Sequence, residues 1–414
     1  MRWIVSQIGA RQHYATPRAF QLRDELGMFY TDSWSGRARH LLRKFPGRIR
    51  GLADRYTPDL PNEKVTARNL VSVWEQATFK FRVPEQNTVS LHNEWRREGE
   101  RFARWVNRKL TRHPADPATD AFYGCKSVCL ETLQLLNKQG VFTLVDQADP
   151  SRVEEELVKA EREKWPGWEL LEGTTPQSYH DRCAAEWAAA DVVLVYSDWT
   201  KEAIVSLGVP ADKVVVVPLA FEPPALPADQ AIPKKAGDRL TVLYLGAVML
   251  RKGIQYLAEA ARQLQDRPID FVVGGILRIS DDALKSFPPN IKYVGRVFRA
   301  DIAKAYQSAD LFVLPTISDS FAITQVEAMY NGLPVIATPR CGTVVTEGVD
   351  GMIVPPGDAG ALAAAIAKLS EDRALLAAMS ENSRKKAATF TLAGYGQKVF
   401  DEVVRRRPEL ARSE

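Results

Sequence analysis

Two short stretches in the second half of the chain combine residue types suited to a phosphorylated ligand. The first is Asp319-Ser320-Phe321-Ala322-Ile323-Thr324-Gln325-Val326-Glu327, which follows the apolar run Leu311–Leu314 and Pro315 and leads into a helical period starting near Ala322. A loop that feeds a helix presents free backbone N–H groups and the positive end of the helix dipole. That dipole is worth roughly 0.3–2 kcal/mol to an anion before any direct hydrogen bond. Glu327 falls one turn in, where a carboxylate can accept both hydroxyls of a ribose. The same spacing also has a purely structural reading. Thr324-x-x-Glu327 matches a capping box, and Ser320 or Asp319 can cap the helix unaided.

The second stretch is Leu245-Gly246-Ala247-Val248-Met249-Leu250-Arg251-Lys252-Gly253, between a buried-strand pattern and a helical period over Ile254–Leu264. Gly246 permits close backbone approach. A lysine ~4 Å from a phosphate oxygen gains on the order of 4 kcal/mol gross at an effective dielectric of 20, enough to matter for a diphosphate leaving group. An Arg-Lys pair on the surface is the alternative, although cations disfavour a helix start.

The elements that must position these residues alternate. Strand patterns at Leu240–Leu245, Ile269–Val273, Ile291–Val294, Leu311–Leu314, Pro334–Ala337 and Met352–Val354 are separated by helical periods at Ile254–Leu264, Asp301–Ser308 and Ile323–Asn331. Runs that are apolar at every position, such as Leu311–Leu314, belong to a parallel sheet covered on both faces. The first half repeats the theme, with strands at Trp3–Ile8, Phe122–Tyr123, Val141–Val145, Val192–Tyr196 and Val214–Val217 and helices at Cys125–Lys138 and Ala184–Ala190. Trp34–Ala118 is a basic, largely helical insertion. Residues 218–238 carry five prolines and form a linker. The expected organisation is therefore an N-terminal Rossmann-like domain over 1–217, the linker, a C-terminal Rossmann-like domain over 239–390, and a helix over 391–414 returning toward the first domain. Ligands of such sheets lie beyond the carboxyl ends of the strands, so two facing halves imply a central cleft.

A chain of 414 residues fits two domains. The run from Trp3 to Ile8 is too short for a signal peptide core, and no stretch reaches the ~18 apolar residues of a membrane span. Four cysteines, Cys125, Cys129, Cys183 and Cys341, are expected as buried free thiols in a reducing cytoplasm. The net charge is only +4, yet Arg37–Arg55 and Arg96–Arg112 each hold seven Arg or Lys residues. Such runs read either as solvated helix faces or as contacts for an anionic membrane surface or a phosphorylated acceptor. No nucleic-acid signature accompanies them. G-x-G-x-x-G and G-x-x-x-x-G-K-[ST] loops are both missing, which argues against a nicotinamide dehydrogenase and a P-loop NTPase.

Together the two stretches resemble the family 4 glycosyltransferases of GT-B fold, an α/β architecture of two Rossmann-like domains. Gly246 to Gly253 matches the family's G-x-x-x-x-x-K-G element, with Lys252 at the position that binds donor phosphate. Asp319 stands where the first glutamate of a Glu-x7-Glu element usually stands, Ala322 replaces the usual glycine, and Glu327 matches the second glutamate, which binds the nucleotide ribose. The resemblance implies catalytic roles for Lys252, Asp319 and Glu327, and donor contacts from Phe321, Ala322, Ile323 and Thr324. Ala247 takes the place of a common arginine, for which Arg251 can substitute. Tyr293–Val297 resembles the nucleobase loop, with Arg296 and Val297 at the base. Gly9 lies where the family has a glycine-rich loop over the donor, and His13, Asp146 and Asp149 rim the acceptor side. The implied reaction is retaining transfer from a nucleoside diphosphate sugar, acting as co-substrate, to a carbohydrate, lipid-linked or small-molecule acceptor. No metal or further cofactor is implied. A sugar-nucleotide epimerase and a non-catalytic nucleotide-sugar-binding protein remain alternatives.

Overall fold

Runs of β-branched and aromatic residues form two separate parallel sheets, and the amphipathic segments between them cover both faces. The computed structural model describes residues 1–36, 39–42, 44, 52–83, 87–169, 173–223 and 239–412. The first sheet has seven strands in the order β3-β2-β1-β4-β5-β6-β7. These are β1 (Arg2–Gln7), β2 (Leu26–Thr31), β3 (Val65–Ala67), β4 (Asp120–Cys125), β5 (Phe142–Asp146), β6 (Val192–Val195) and β7 (Val214–Val216). Its principal helices are α1 (Ala15–Leu22), α2 (Asn69–Arg82), α3 (Thr88–Arg112), α4 (Leu130–Lys138), α5 (Arg152–Lys164), α6 (Gln177–Ala189) and α7 (Asp198–Ser206). β4 and β5 are buried at every position, as strands covered on both faces must be.

The second sheet has six strands in the order β10-β9-β8-β11-β12-β13. These are β8 (Leu240–Leu245), β9 (Ile269–Gly274), β10 (Ile291–Tyr293), β11 (Leu311–Leu314), β12 (Val335–Ala337) and β13 (Gly351–Ile353). It carries α8 (Ile254–Gln263), α9 (Arg299–Gln307), α10 (Thr324–Tyr330), α11 (Ala359–Glu371) and α12 (Arg373–Ala387). In both sheets the chain starts in the middle and later returns to the other side of the first strand, so each has a switch point: between β1 and β4, and between β8 and β11. The molecule is a GT-B fold, two Rossmann-like domains with a cleft between them.

Several sequence expectations are corrected. The helix read over Cys125–Lys138 is a strand end followed by a later helix, because Asp120–Cys125 pairs with both β1 and β5. The buried Glu186 carboxylate accepts the backbone N–H groups of Ser127, Cys129 and Leu130, which fixes where α4 begins. Leu26–Thr31, not singled out in the sequence, is a strand whose Gly27 sits against Trp3 O, where an added Cβ would be 3.3 Å away. The basic insertion holds α2 and α3 but also the edge strand β3. Of the basic stretch Arg37–Arg55, residues 37–38, 43 and 45–51 lie outside the described residues, as do 224–238 of the proline-rich linker.

The last helix, α13 (Leu392–Arg406), crosses to the N-terminal domain. Gly396 lies against Ala19 O of α1, Arg23 stacks on Phe400, and Tyr395 Oη sits 3.0 Å from Tyr123 Oη. The two chain crossings meet at one point, where Phe221 N donates to Phe390 O at 2.8 Å. All four cysteines are buried and free. Among the described residues no helix is long and apolar enough to cross a membrane.

Candidate functional site

A cavity of about 520 Å³ opens between the two switch points, lined by Gln7 and Lys126 at the ends of β1 and β4 and by Leu245, Gly246 and Leu314 at the ends of β8 and β11. Its C-terminal wall comes from two loops. Gly246, Ala247 and Lys252 come from the loop after β8, and Asp319 to Thr324 from the loop before α10. A Cβ added at Gly246 would meet nothing closer than 3.7 Å, so packing within the protein does not demand glycine there. Gly275 and Gly253 are different: added Cβ atoms would lie 1.7 Å from Gly246 O and 1.8 Å from Pro315 O, contacts only glycine allows.

α10 begins without a side-chain cap, since Ile323 is its N-cap residue and no side chain accepts there. The capping-box reading of Thr324 and Glu327 therefore fails. Ser320 instead accepts from Thr200 Oγ1 at 3.0 Å, and Asp319 pairs with Lys252. Helix starts leave their first N–H groups without intrahelical partners, and Ala322 to Thr324, at this start, line the cavity. Ala322 holds φ of +50°, the left-handed region where a Cβ costs roughly 1–2 kcal/mol. Burial, and then the neighbouring Arg251 charge, push the Lys252 ammonium down to about 7, with Glu154 opposing the shift.

The N-terminal wall is built of side chains. Lys126 Nζ donates to Asp149 Oδ1 at 2.6 Å and lies over the Tyr179 ring. Burial alone would raise the Asp149 carboxyl, yet Lys126 holds it below its ordinary range. Asp146, 2% exposed, accepts from Tyr196 Oη at 2.5 Å, and its Oδ1 is buried without a hydrogen-bond partner among the described residues. Burial raises the Asp146 carboxyl; the Arg11 charge and the Tyr196 hydrogen bond oppose this. Arg11 is exposed by area because the surface it shows lines the cavity. Gln12, His13 and Tyr14 follow with φ of 47°, 53° and 63°, a left-handed turn that carries Gln12 to the cavity.

The structure thus gathers Gly246, Lys252, Asp319, Phe321, Ala322, Ile323, Thr324, Asp146 and Asp149 around one cavity. Other expected site residues stand apart from its lining. Gly9 shapes the turn after β1, its N–H bonded to Asp32 Oδ1 at 2.8 Å, and Arg11 and Gln12 reach the cavity in its place. His13 is exposed. Arg251 turns away from the cavity to Ser318 O at 3.0 Å and Glu154 Oε2 at 3.3 Å, clasping α5 across the cleft. Glu327 lies in the first turn of α10 and accepts from Tyr306 Oη at 2.8 Å. Arg296 stacks on Phe298, while Val297 packs by Gly274, so their loop flanks the end of β9. Lys126, Tyr179, Tyr196 and Arg11 were not singled out in the sequence. The signal for Lys126 was its place directly after a strand, obscured by reading Cys125 as helical.

The chain is similar in sequence and in fold to known proteins. Residues 227–386 match the family model described as glycosyl transferases group 1. The chain is 26% identical over 221 residues to the amylovoran biosynthesis glycosyltransferase AmsK of Erwinia amylovora, covering 49% of this chain and 53% of that one. It is 31% identical over 260 residues to a D-inositol 3-phosphate glycosyltransferase of Mycolicibacterium vanbaalenii, covering 54% and 57%. The chain spans about half the length of the curated relatives it matches. In fold it is similar to Anabaena Alr3699/HepE, solved in complex with UDP, with a TM-score of 0.60, 15% identity, and coverage of 98% of this chain and 100% of that one.

Proposed function

We propose that this chain is a family 4 glycosyltransferase that moves a sugar from a nucleoside diphosphate sugar to an acceptor hydroxyl with retention at the anomeric carbon. The observation that carries this reading is the union, on one wall of a two-domain cleft, of Lys252, the open space at Gly246 and the uncapped start of α10. In the reaction the bond from the anomeric carbon to the diphosphate breaks and a bond to the acceptor oxygen forms, with the acceptor proton released. Lys252 and the amides of Ala322 to Thr324 meet the charge that develops on the departing diphosphate, without requiring a metal. Asp319 orients Lys252 and faces the donor sugar, and Glu327, steadied by Tyr306, takes the ribose hydroxyls. The Arg296–Val297 loop receives the base. Asp146 and Asp149, with Arg11 and Lys126, form the acceptor side. The acceptor is a carbohydrate, a small molecule or a lipid-linked sugar, and the basic N-terminal half meets an anionic membrane surface.

Because a protein of the same fold was solved with UDP, uridine is the first base to test. Thermal shift with UDP, GDP, ADP, TDP and CMP, with and without magnesium, is expected to single out one diphosphate. A ligand at about 100 times its Kd stabilises by roughly 2.7 kcal/mol. The shift should persist in chelator and shrink in Glu327→Ala. No shift with any nucleotide would overturn the donor site; a shift without sugar transfer to any acceptor would favour a non-catalytic binding protein.

A further inference from the structure

Helix α2 is inside out. Ser72 and Glu75 on its inner side are each only 4% exposed, while Leu70, Val73, Trp74 and Phe81 are 87%, 49%, 61% and 86% exposed. At 100° per residue these four fall within about a third of the circumference, a continuous apolar stripe on a helix whose polar side is the buried one. The inversion is held in place by polar contacts. Ser72 Oγ donates to Asp32 O at 2.8 Å, Glu75 accepts from Arg101 Nε at 2.9 Å, and Arg68 forms an ion pair with Glu75 at 2.9 Å. Rotating the helix to hide the stripe would break this network and leave charges buried and unpaired, which costs more than the apolar surface would return.

What lies beside the stripe indicates what covers it. Arg101 of α3 bridges Glu75 and Glu94, and Arg82 of α2 reaches Glu94 and lies 5.9 Å from the Trp74 ring, so the two helices run as neighbours. On the outer side of α3, Arg97, Arg104 and Arg108 recur at helical spacing, all exposed, and among the described residues no carboxylate pairs with them. An apolar stripe with tryptophan and phenylalanine next to a row of unpaired arginines is complementary to the boundary of an anionic lipid surface, where ring and alkyl groups enter and cations meet headgroups. A second copy suits it less, because a twofold contact on the stripe would bring two arginine rows together.

We infer that α2 is the membrane-docking element of this protein: its Leu70–Phe81 stripe enters the headgroup boundary of an anionic bilayer, and the α3 arginines lie on the headgroups beside it. This rests on the reading that the N-terminal half meets a membrane, and it names the face. It also ties docking to the cleft. Asp32, which accepts from Ser72, holds Gly9 N at 2.8 Å in the loop that delivers Arg11 and Gln12 to the cavity.

The test is co-sedimentation of the full chain with vesicles of phosphatidylcholine alone or mixed with phosphatidylglycerol, for wild type, W74S/F81S and R97Q/R104Q/R108Q. Wild type is expected to bind only the anionic vesicles, and both variants to bind them at least about tenfold more weakly. The nucleotide-induced thermal shift of each variant should match wild type, showing the fold intact. Wild type that ignores anionic vesicles would overturn the membrane reading as a whole. Wild-type binding that W74S/F81S retains in full would leave that reading standing and overturn α2 as the face. Self-association in sedimentation velocity that W74S/F81S abolishes, without lipid binding, would make the stripe a contact between copies.

Discussion

The two walls of the cleft are built on different principles. The C-terminal wall is built from two local loops, so much of its shape follows the backbone: a glycine with open space beside it, the start of α10, and one lysine with a carboxylate at hand. The N-terminal wall offers side chains already bound to one another: Lys126 to Asp149 and Tyr196 to Asp146. Backbone cannot be changed by substitution without changing the loop, so such a wall suits a ligand part that is always the same, such as a diphosphate. Interlocked side chains can be exchanged in sets, which suits the part that differs from one enzyme to another. The contrast also implies different penalties. Damage to the first wall should strike the chemistry, and damage to the second should strike stability first.

The largest expected effect is at Lys252. Lys252→Ala should lower kcat at least a hundredfold, corresponding to about 2.7 kcal/mol of leaving-group stabilisation, with little change in melting temperature, because Arg251 remains 4.0 Å from Asp319. Turnover within threefold of wild type would remove the phosphate role. The low pKa of this lysine adds a pH signature. With the free ammonium titrating near 7 and a bound diphosphate favouring its charged form, nucleotide binding should take up a proton and weaken as pH rises above 7. Titration calorimetry in buffers of different ionisation enthalpy reads this, and Lys252→Ala should abolish it.

A change in the other wall should invert the pattern. Lys126→Met leaves Asp149 without its cation; because 38% of the Asp149 side chain is exposed, the cost should be about 2 kcal/mol rather than the ~3–5 of a fully buried pair. Urea unfolding measures it, and an unchanged midpoint would mean the pair contributes nothing. The smallest effect is Ala322→Gly. Relief of the left-handed strain, offset by the freer unfolded chain, should raise stability by no more than about 1 kcal/mol. A loss of that size would show that the Ala322 methyl group is packed to advantage.

The same contrast decided what could be read in advance. Strand and helix patterns made both sheets legible, the GT-B class followed from the resemblance carried by the loops around Lys252 and Asp319, and those loops declared themselves because a local run of residues forms them. Three kinds of feature stayed hidden. Leu26–Thr31 contains Gly27 and lacks alternation, so its strand character comes from pairing with β1. Lys126 follows a strand whose last residues also fit the apolar period of α4. The inverted exposure of α2 depends on Glu75 finding Arg68 at the start of its own helix and Arg101 on α3, a pairing that no periodicity announces.

The chain passes between the domains at two places, before β8 and again between α12 and α13, and Phe221 and Phe390 bind the two passages together. A single passage would let one domain swivel in any direction about a point. Two passages bonded to each other at Phe221 and Phe390 define a line, and rotation about that line is the motion that leaves their hydrogen bond intact, like a door rather than a ball joint.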